Sequence, residues 1–243
     1  MKKDTVGVVG NGFVGGAIVQ GFTTFKDVYC YDKDPKKSTN SLEEVLDCQY
    51  IFVCLPTPMV SAEGGECNLS IMEDFFSEVE YKEGQVFIIK STVPIGTTER
   101  LREENDLPNI VHCPEFLSAR TARSDFVCSA RTIIGGNKKY TKIVKHLFED
   151  RFPGTSVHLT SSNESELIKY ASNCFFATKI IYFNQIKLLS ESLELDWKNV
   201  LEGLMSDGRI AQYHHQVPGH DGDYGFGGKC FPKDFNGMIK LFD

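Results

Sequence analysis

The sequence predicts an α/β protein, a doubly wound parallel sheet followed by a helical region. Three observations carry this. Short apolar runs (TVGVV at 5–9, VYCYD at 28–32, YIFVC at 50–54, QVFIIK at 85–90, NIVHC at 109–113) alternate with helical stretches, the pattern of parallel strands joined by crossover helices. The glycine-rich run Gly10-Asn11-Gly12-Phe13-Val14-Gly15 stands between the first strand and the first helix. From about residue 161 the alternation gives way to one long helical pattern. The expected organisation is therefore a Rossmann-like dinucleotide-binding domain over 1–160 and a helical central region over 161–243.

The bulk numbers narrow the function classes. The 243 residues are 41% hydrophobic and 24% charged, ordinary for a globular protein. A net charge of −7 argues against nucleic acid as the main partner, since such proteins carry a basic surplus or patch. No run of about 18 apolar residues exists, so no membrane span is expected. The start, MKKDTVGVVGNG, has lysines but no apolar signal core, and the chain reads as cytoplasmic. Its eight cysteines show no CxxC and no framework spacing, which predicts reduced, mostly structural thiols. His214, His215 and His220 have no cysteine partners at ligand spacing, so no metal is expected.

Taken in order, the strand at 5–9 leads into GxGxxG and then the helical AIVQGF. The first glycine permits the tight turn, the second lets a pyrophosphate approach the backbone, and the third lets helix pack on strand. The helix N-terminus supplies free N–H groups to the phosphates. The second strand ends in Asp32, about 20 residues past the fingerprint, where a carboxylate holds a ribose 2′-hydroxyl. That carboxylate would repel a 2′-phosphate, so NAD is expected rather than NADP, although Lys33, Lys36 and Lys37 stand close by. SLEEVLD reads as helix. YIFVCLPTP reads as a buried strand ending in a Thr57-Pro58 turn, and a small-residue loop, VSAEGGECNLS, follows. MEDFFSEVE is helical, QVFIIKSTV a strand ending at Ser91-Thr92, ERLREEN helical, NIVHCPEF a strand with Glu115 just past its end, and ARTIIGG a further strand. Singly, Thr57, Thr92 and Glu115 are ordinary cap or turn residues. Together they mark the carboxyl ends of strands, where ligands bind in such sheets.

The long helix, NESELIKYASNCFFATKIIYFNQIKLLSESLEL, has Asn163 as its expected N-cap. Glu166, Lys169 and Asn173 share one stripe, continued by Ile180 and Asn184. A polar stripe is ordinarily a solvated face. Here the flanking residues (Ile168, Phe175, Phe176, Ile181) are so apolar that Lys169 and Asn173 are expected to line a site. DWKNVLEGLMS is a second helix, and the glycine-rich loop Gln216–Gly228 leads into GFGGKCFPKD. In that stretch glycines bring backbone close to Cys230, Lys229 and Lys233 flank the sulfur and favour the thiolate, Pro232 stiffens the turn, and Asp234 adds a carboxylate. The bland reading is a surface loop with an incidental cysteine, and the sharper one is a covalent-catalysis site. A short helix, FNGMIKLF, is expected after Asp234.

As an ordered set, GNGFVG, Asp32, LPTP, STVPIGTT, CPEFL, ELIKYASNCFFATKI with Asn184, Gly208-Arg209-Ile210 and GFGGKCFPKD resemble the UDP-glucose/GDP-mannose dehydrogenase family over the whole chain. The likeness is greatest to members acting on UDP-glucose. The resemblance implies NAD-dependent oxidation of a nucleotide sugar's C6 alcohol to a carboxylate by two hydride transfers. It implies Cys230 as the nucleophile of a thiohemiacetal and thioester, and Lys169 and Asn173 as oxyanion partners. Thr92 and Asp234 are then water-positioning groups and Glu115 the general base of hydrolysis. It further implies cofactor contacts at Gly10, Asn11, Gly12, Phe13, Val14, Gly15, Asp32, Lys37, Thr57, Pro58, Thr92 and Lys233. Substrate contacts follow at Glu115, Phe116 and Leu117, at Lys169 and Asn173, at Arg209 (often across a dimer interface), and along Tyr224, Gly225, Phe226 and Gly227.

Two departures stand out: position 119 is Ala where the family usually carries a second glutamate, and the family normally continues beyond the central helices into a further nucleotide-holding domain. The long helix is expected to cover its apolar surface in a homodimer. Two alternatives stay open: the same chemistry on GDP-mannose or a UDP-N-acetyl sugar, and a silent NAD-binding or assembly module.

Overall fold

Alternation within the strands decides which face each side chain meets. In the computed structural model, which describes residues 1–60, 67–118, 120–211, 213–228 and 230–242, the strands are β1 (Lys2–Val9), β2 (Asp27–Tyr31), β3 (Cys48–Val53), β4 (Val86–Ile89), β5 (Ile110–His112), β6 (Arg131–Gly136) and β7 (Ser156–Thr160). They form one sheet in the order β2-β1-β3-β4-β5-β6-β7. Val6, Val8, Phe52, Val86 and Ile88 point to one core, and Val9, Ile51, Val53, Phe87 and Ile89 to the other. Both faces are therefore apolar, as crossover helices on either side require. The order reverses between β1 and β3, which opens a crevice at the carboxyl ends of these two strands.

The helices of this part are α1 (Phe13–Phe22), α2 (Leu42–Leu46), α3 (Ser70–Ser77), α4 (Thr97–Glu104), α5 (Ala122–Val127) and α6 (Lys138–Arg151). Ser41 and Glu44 form a reciprocal capping box at the start of α2. The first core is built around Phe22 on α1, fully buried among Phe52, Phe126, Phe148 and Phe152 with ring centroids 5.6–6.0 Å away. The expected α/β sheet is present, with one refinement. β6 runs antiparallel to β5, because the link between them holds only the six-residue α5 and enters β6 from the end where β5 finishes. Sequence periodicity did not mark α5, α6 or β7. The strands after which Thr57, Thr92 and Glu115 follow end at Val53, Ile89 and His112, so these residues stand on the connections beyond.

The described chain divides into two compact units, residues 1–60 with 67–169, and from Tyr170 onward. Helix α7 (Ser162–Ser192) begins in the first and continues in the second. Its cap is Ser161, not the expected Asn163. Ser161 Oγ accepts from the Glu164 amide at 3.2 Å while Glu164 Oε2 accepts from the Ser161 amide at 2.8 Å. Asn163 lies inside the first turn and donates to Glu99 Oε2 at 3.1 Å. The second unit adds α8 (Trp197–Met205) and α9 (Phe231–Ile239). Tyr170 is buried there against Gly237 of α9, where an added Cβ would meet the ring at 2.5 Å. Helix α9 starts at Phe231, so Pro232 occupies its first turn rather than stiffening a preceding turn, a position where its missing N–H costs nothing. Among the described residues no helix is long and apolar enough to cross a membrane. Residues 61–66 of the small-residue loop, Ala119 and Lys229 lie outside the described residues.

Phe22→Ala removes the ring on which four other phenylalanines converge. It is expected to lower unfolding free energy by about 3–5 kcal/mol, read from the denaturant midpoint with an unchanged slope.

Candidate active site

The fingerprint loop forms a cradle whose dimensions follow from absent side chains. A Cβ on Gly15 would lie 1.9 Å from the Gly10 carbonyl oxygen, so nothing but glycine lets α1 approach β1 this closely. A Cβ on Gly12 would meet nothing within 4 Å. Open space over Gly12 at the start of α1 is what a pyrophosphate needs, and the expected NAD site fits it. Asp32 anchors the opposite wall: its Oδ2 accepts from the Asn11 amide at 2.7 Å and its Oδ1 from the Asp34 amide at 2.9 Å. Burial pushes its carboxyl up, but these amides and the Lys37 and Lys33 charges outweigh that and hold it below the usual range. The Asn11 side chain donates to the Lys37 carbonyl at 2.7 Å, tying the loop to the segment after β2. Phe13 is 69% exposed.

The strand ends are laced together. Thr57 Oγ1 donates to the Thr92 carbonyl at 2.8 Å and Ser91 Oγ to the Leu55 carbonyl at 2.5 Å, which joins the connections after β3 and β4. Lys90, 4% exposed, donates to the Pro114 carbonyl at 3.2 Å and lies 3.5 Å from Cys113 Sγ. Helix α7 then reaches back to β5, to the start of α4 and to the connection after β5. Ser165 Oγ lies 2.8 Å from His112 Nδ1. Glu166 accepts from the Gly96 and Thr98 amides and the Thr98 hydroxyl. Lys169, 3% exposed, donates to Glu115 Oε1 at 3.1 Å. Glu115 Oε2 accepts from the Leu117 amide at 2.6 Å. Phe116 is flanked by two cations, with Arg131 Cζ 4.8 Å and Lys169 Nζ 5.3 Å from its ring centroid, both within cation–π range. Sequence reasoning missed Lys90, His112 and Arg131. Lys90 stands just past β4, His112 closes β5 and Arg131 opens β6, positions at strand termini that many residues share.

In the second unit Asp234, fully buried on the first turn of α9, accepts from Asn173 Nδ2 at 2.5 Å. Its other oxygen lies 2.6 Å from Lys233 Nζ, an ion pair by distance without hydrogen-bond alignment. The Lys233 ammonium, read from sequence as a neighbour of the thiol, is thus directed to a carboxylate. Cys230 is exposed at the N-terminal boundary of α9. Asn184 Oδ1 accepts from the Gly225 amide at 2.9 Å, so the stripe on α7 holds the glycine-rich loop. Tyr224 lies under Lys187 Nζ at 5.6 Å. Arg209 is 90% exposed in its side chain and paired with Asp207. The structure therefore brings Lys169 to Glu115, Asn173 to Asp234, and Asn184 to Gly225.

Residues 36–151 match the NAD-binding domain of the UDP-glucose/GDP-mannose dehydrogenase family, and residues 163–243 its central domain. The chain is 33% identical over 220 residues to a UDP-glucose 6-dehydrogenase of Rickettsia conorii, covering 87% of this chain and 49% of that one. It is 32% identical over 203 residues to a UDP-glucose 6-dehydrogenase of Bacillus subtilis, covering 79% and 44%. It spans about half the length of these curated relatives. A solved UDP-glucose dehydrogenase of Pyrobaculum islandicum superposes with a TM-score of 0.81 at 27% identity, over 99% of this chain and 64% of that one.

Asp32→Ala is expected to weaken NAD binding by about 1–3 kcal/mol through polar partners left unpaired, measured by cofactor titration. His112 gives a pH dependence. Burial, with the Lys90 and Lys169 charges adding to it, holds its imidazole at about 3 against an ordinary 6.5. Below about pH 6.5 the unfolded chain takes up a proton that the native state refuses. Stability therefore falls as pH drops from 6.5 toward 3, by at most about 1.4 kcal/mol per pH unit from this group. In His112→Gln that component of the slope of unfolding free energy against pH is expected to vanish.

Proposed function

Since the chain belongs to the UDP-glucose/GDP-mannose dehydrogenase family and carries its NAD-binding domain, we propose that it oxidises UDP-glucose to UDP-glucuronate through a covalent Cys230 adduct. The observation that carries the reading is Cys230 at the mouth of α9, one helical turn ahead of the buried Asp234–Asn173 pair. The N-terminal end of a helix favours negative charge on a group placed there, and an exposed thiolate is the form that attacks a carbonyl.

Gly10–Gly15 would hold NAD, with Asp32 at the ribose, Lys37 toward the adenosine end and Thr57, Pro58, Thr92 and Lys233 as further contacts; the cofactor would accept the hydride of each oxidation, one equivalent apiece. The first oxidation removes a hydride from C6 and the hydroxyl proton to a base, leaving an aldehyde. The Cys230 sulfur adds to that carbon, and Lys169 with Asn173 stabilises the oxyanion formed, a role suited to a fixed cation excluded from water. Loss of the second hydride converts the thiohemiacetal to a thioester. Water oriented by Thr92 and Asp234, with Glu115 taking its proton, adds to the carbonyl. The C–S bond then breaks, releasing the carboxylate and restoring the thiol. Phe116, Leu117 and the Tyr224–Gly227 loop line the sugar and its diphosphate, with Arg209 reaching it from a second copy. Pairing of two copies through α7 is supported by exposed apolar residues there, Phe175 at 64%, Tyr182 at 52% and Leu189 at 53%.

With purified chain, NAD and UDP-glucose, the expected result is about two NADH formed per sugar acid, followed by absorbance and product mass. Cys230→Ser should form no acid while binding NAD within a few-fold of wild type. Acid formation by that variant would remove the covalent mechanism. Turnover only with GDP-mannose or a UDP-N-acetyl sugar would keep the chemistry and change the substrate.

A further inference from the structure

The connection between β4 and α4 carries Thr92 and is pinned at both ends. At its start the Thr92 carbonyl accepts from Thr57 at 2.8 Å. At its finish the chain turns through Gly96, at φ +91 in the left-handed region, into the first turn of α4. The amides exposed at that helix start need acceptors; the Thr97 amide donates to the Pro94 carbonyl at 3.1 Å, but Gly96 provides no side-chain cap for its neighbours. Glu166 of α7 fills the role from about 70 residues away in sequence. Its Oε2 accepts from the Gly96 amide at 2.7 Å, and its Oε1 from the Thr98 amide at 2.9 Å and the Thr98 hydroxyl at 2.6 Å.

Glu166 and Thr98 are both fully buried. A buried carboxylate is costly unless hydrogen-bonded, and bonds from amides to a charged acceptor are among the stronger ones. Glu166 also stands one helical turn before Lys169 on the same stripe of α7, and Lys169 is itself paired with Glu115 after β5. One side chain thereby couples the connection bearing Thr92 to the helix bearing Lys169.

We infer that Glu166 is a positioning residue, which sets the β4–α4 connection, and with it Thr92, in register with Lys169. This rests on the reading above that Thr92 and Lys169 serve the reaction. Glu166 touches neither substrate nor cofactor, and acts through the turn at Gly96.

The test compares Glu166→Gln with wild type and with Glu166→Asp, using the full chain. Glutamine keeps the size but turns an N–H2 toward one of the donors, while aspartate keeps the charge and falls short in reach. Hydrogen exchange reports the turn, NADH titration the cofactor, and steady-state kinetics with UDP-glucose the reaction. In Glu166→Gln the Gly96 and Thr98 amides are expected to exchange at least about tenfold faster and NADH to bind roughly 5–20-fold more weakly, about 1–1.8 kcal/mol. The kcat should drop at least about tenfold while KM for the nucleotide sugar stays within about twofold, with Glu166→Asp recovering part of both. A folded Glu166→Gln with wild-type NADH affinity and kcat overturns the inference, as does exchange accelerated evenly through the first unit. If Glu166→Gln fails to fold, Thr98→Val, which removes the hydroxyl contact alone, decides by the same readouts with a smaller, roughly 2–5-fold effect on exchange. No change there overturns it. A wild-type chain that binds NADH without turning over UDP-glucose would count against the nucleotide-sugar reading, and leaves Glu166 judged on amide exchange and NADH affinity.

Discussion

The buried ion pair between Lys169 and Glu115 is the constraint on which the arrangement of the first unit turns. Its side chains are 3% and 13% exposed, and charges so far from water are tolerated only when each meets a partner in good geometry. The requirement propagates outward. Glu115 is held by the Leu117 amide, Lys169 packs over Phe116, and Lys90 beneath holds the Pro114 carbonyl. Helix α7 could not slide by a residue without stranding Lys169, Glu166 and Ser165 together.

That rigidity explains why so much polar chemistry gathers at one edge of an apolar sheet. A parallel sheet buries both faces, so its interior offers no room for charged groups. Its strand ends do, because carbonyls and amides there leave the ladder and need other partners. The Gly10–Gly15 loop, the Thr57–Thr92 bond and the Glu166 bonds to the start of α4 are three answers to that need. The second unit answers it differently. There an amide, Asn173, and a carboxylate, Asp234, satisfy each other inside a helical pair, and Asn184 spends its oxygen on the backbone of the glycine-rich loop.

The fold was legible because its signals are local. Strand runs separated by helical stretches, GxGxxG in its strand–helix setting, and Asp32 at the expected distance each follow from backbone geometry within a few residues. Glu166, Lys169, Asn173 and Asn184 were legible as one stripe, since helical period alone places them on one face. Boundaries were less so. The start of α7 moved to the Ser161–Glu164 box, because Ser161 satisfies the first-turn amide while Asn163 is drawn to Glu99. The start of α9 moved ahead of Pro232, because proline suits a helix's first turn.

By itself the sequence determined the class of fold, the cofactor and the family, all of which depend on residue types at short, fixed spacings. The tertiary structure alone decided who pairs with whom. Lys169 turns to Glu115, Asn173 to Asp234, and Glu166 to a turn far away in the chain. Such pairings are set by burial, which forces each charge to the nearest group able to satisfy it, and distance in space is what a linear pattern of residues does not encode.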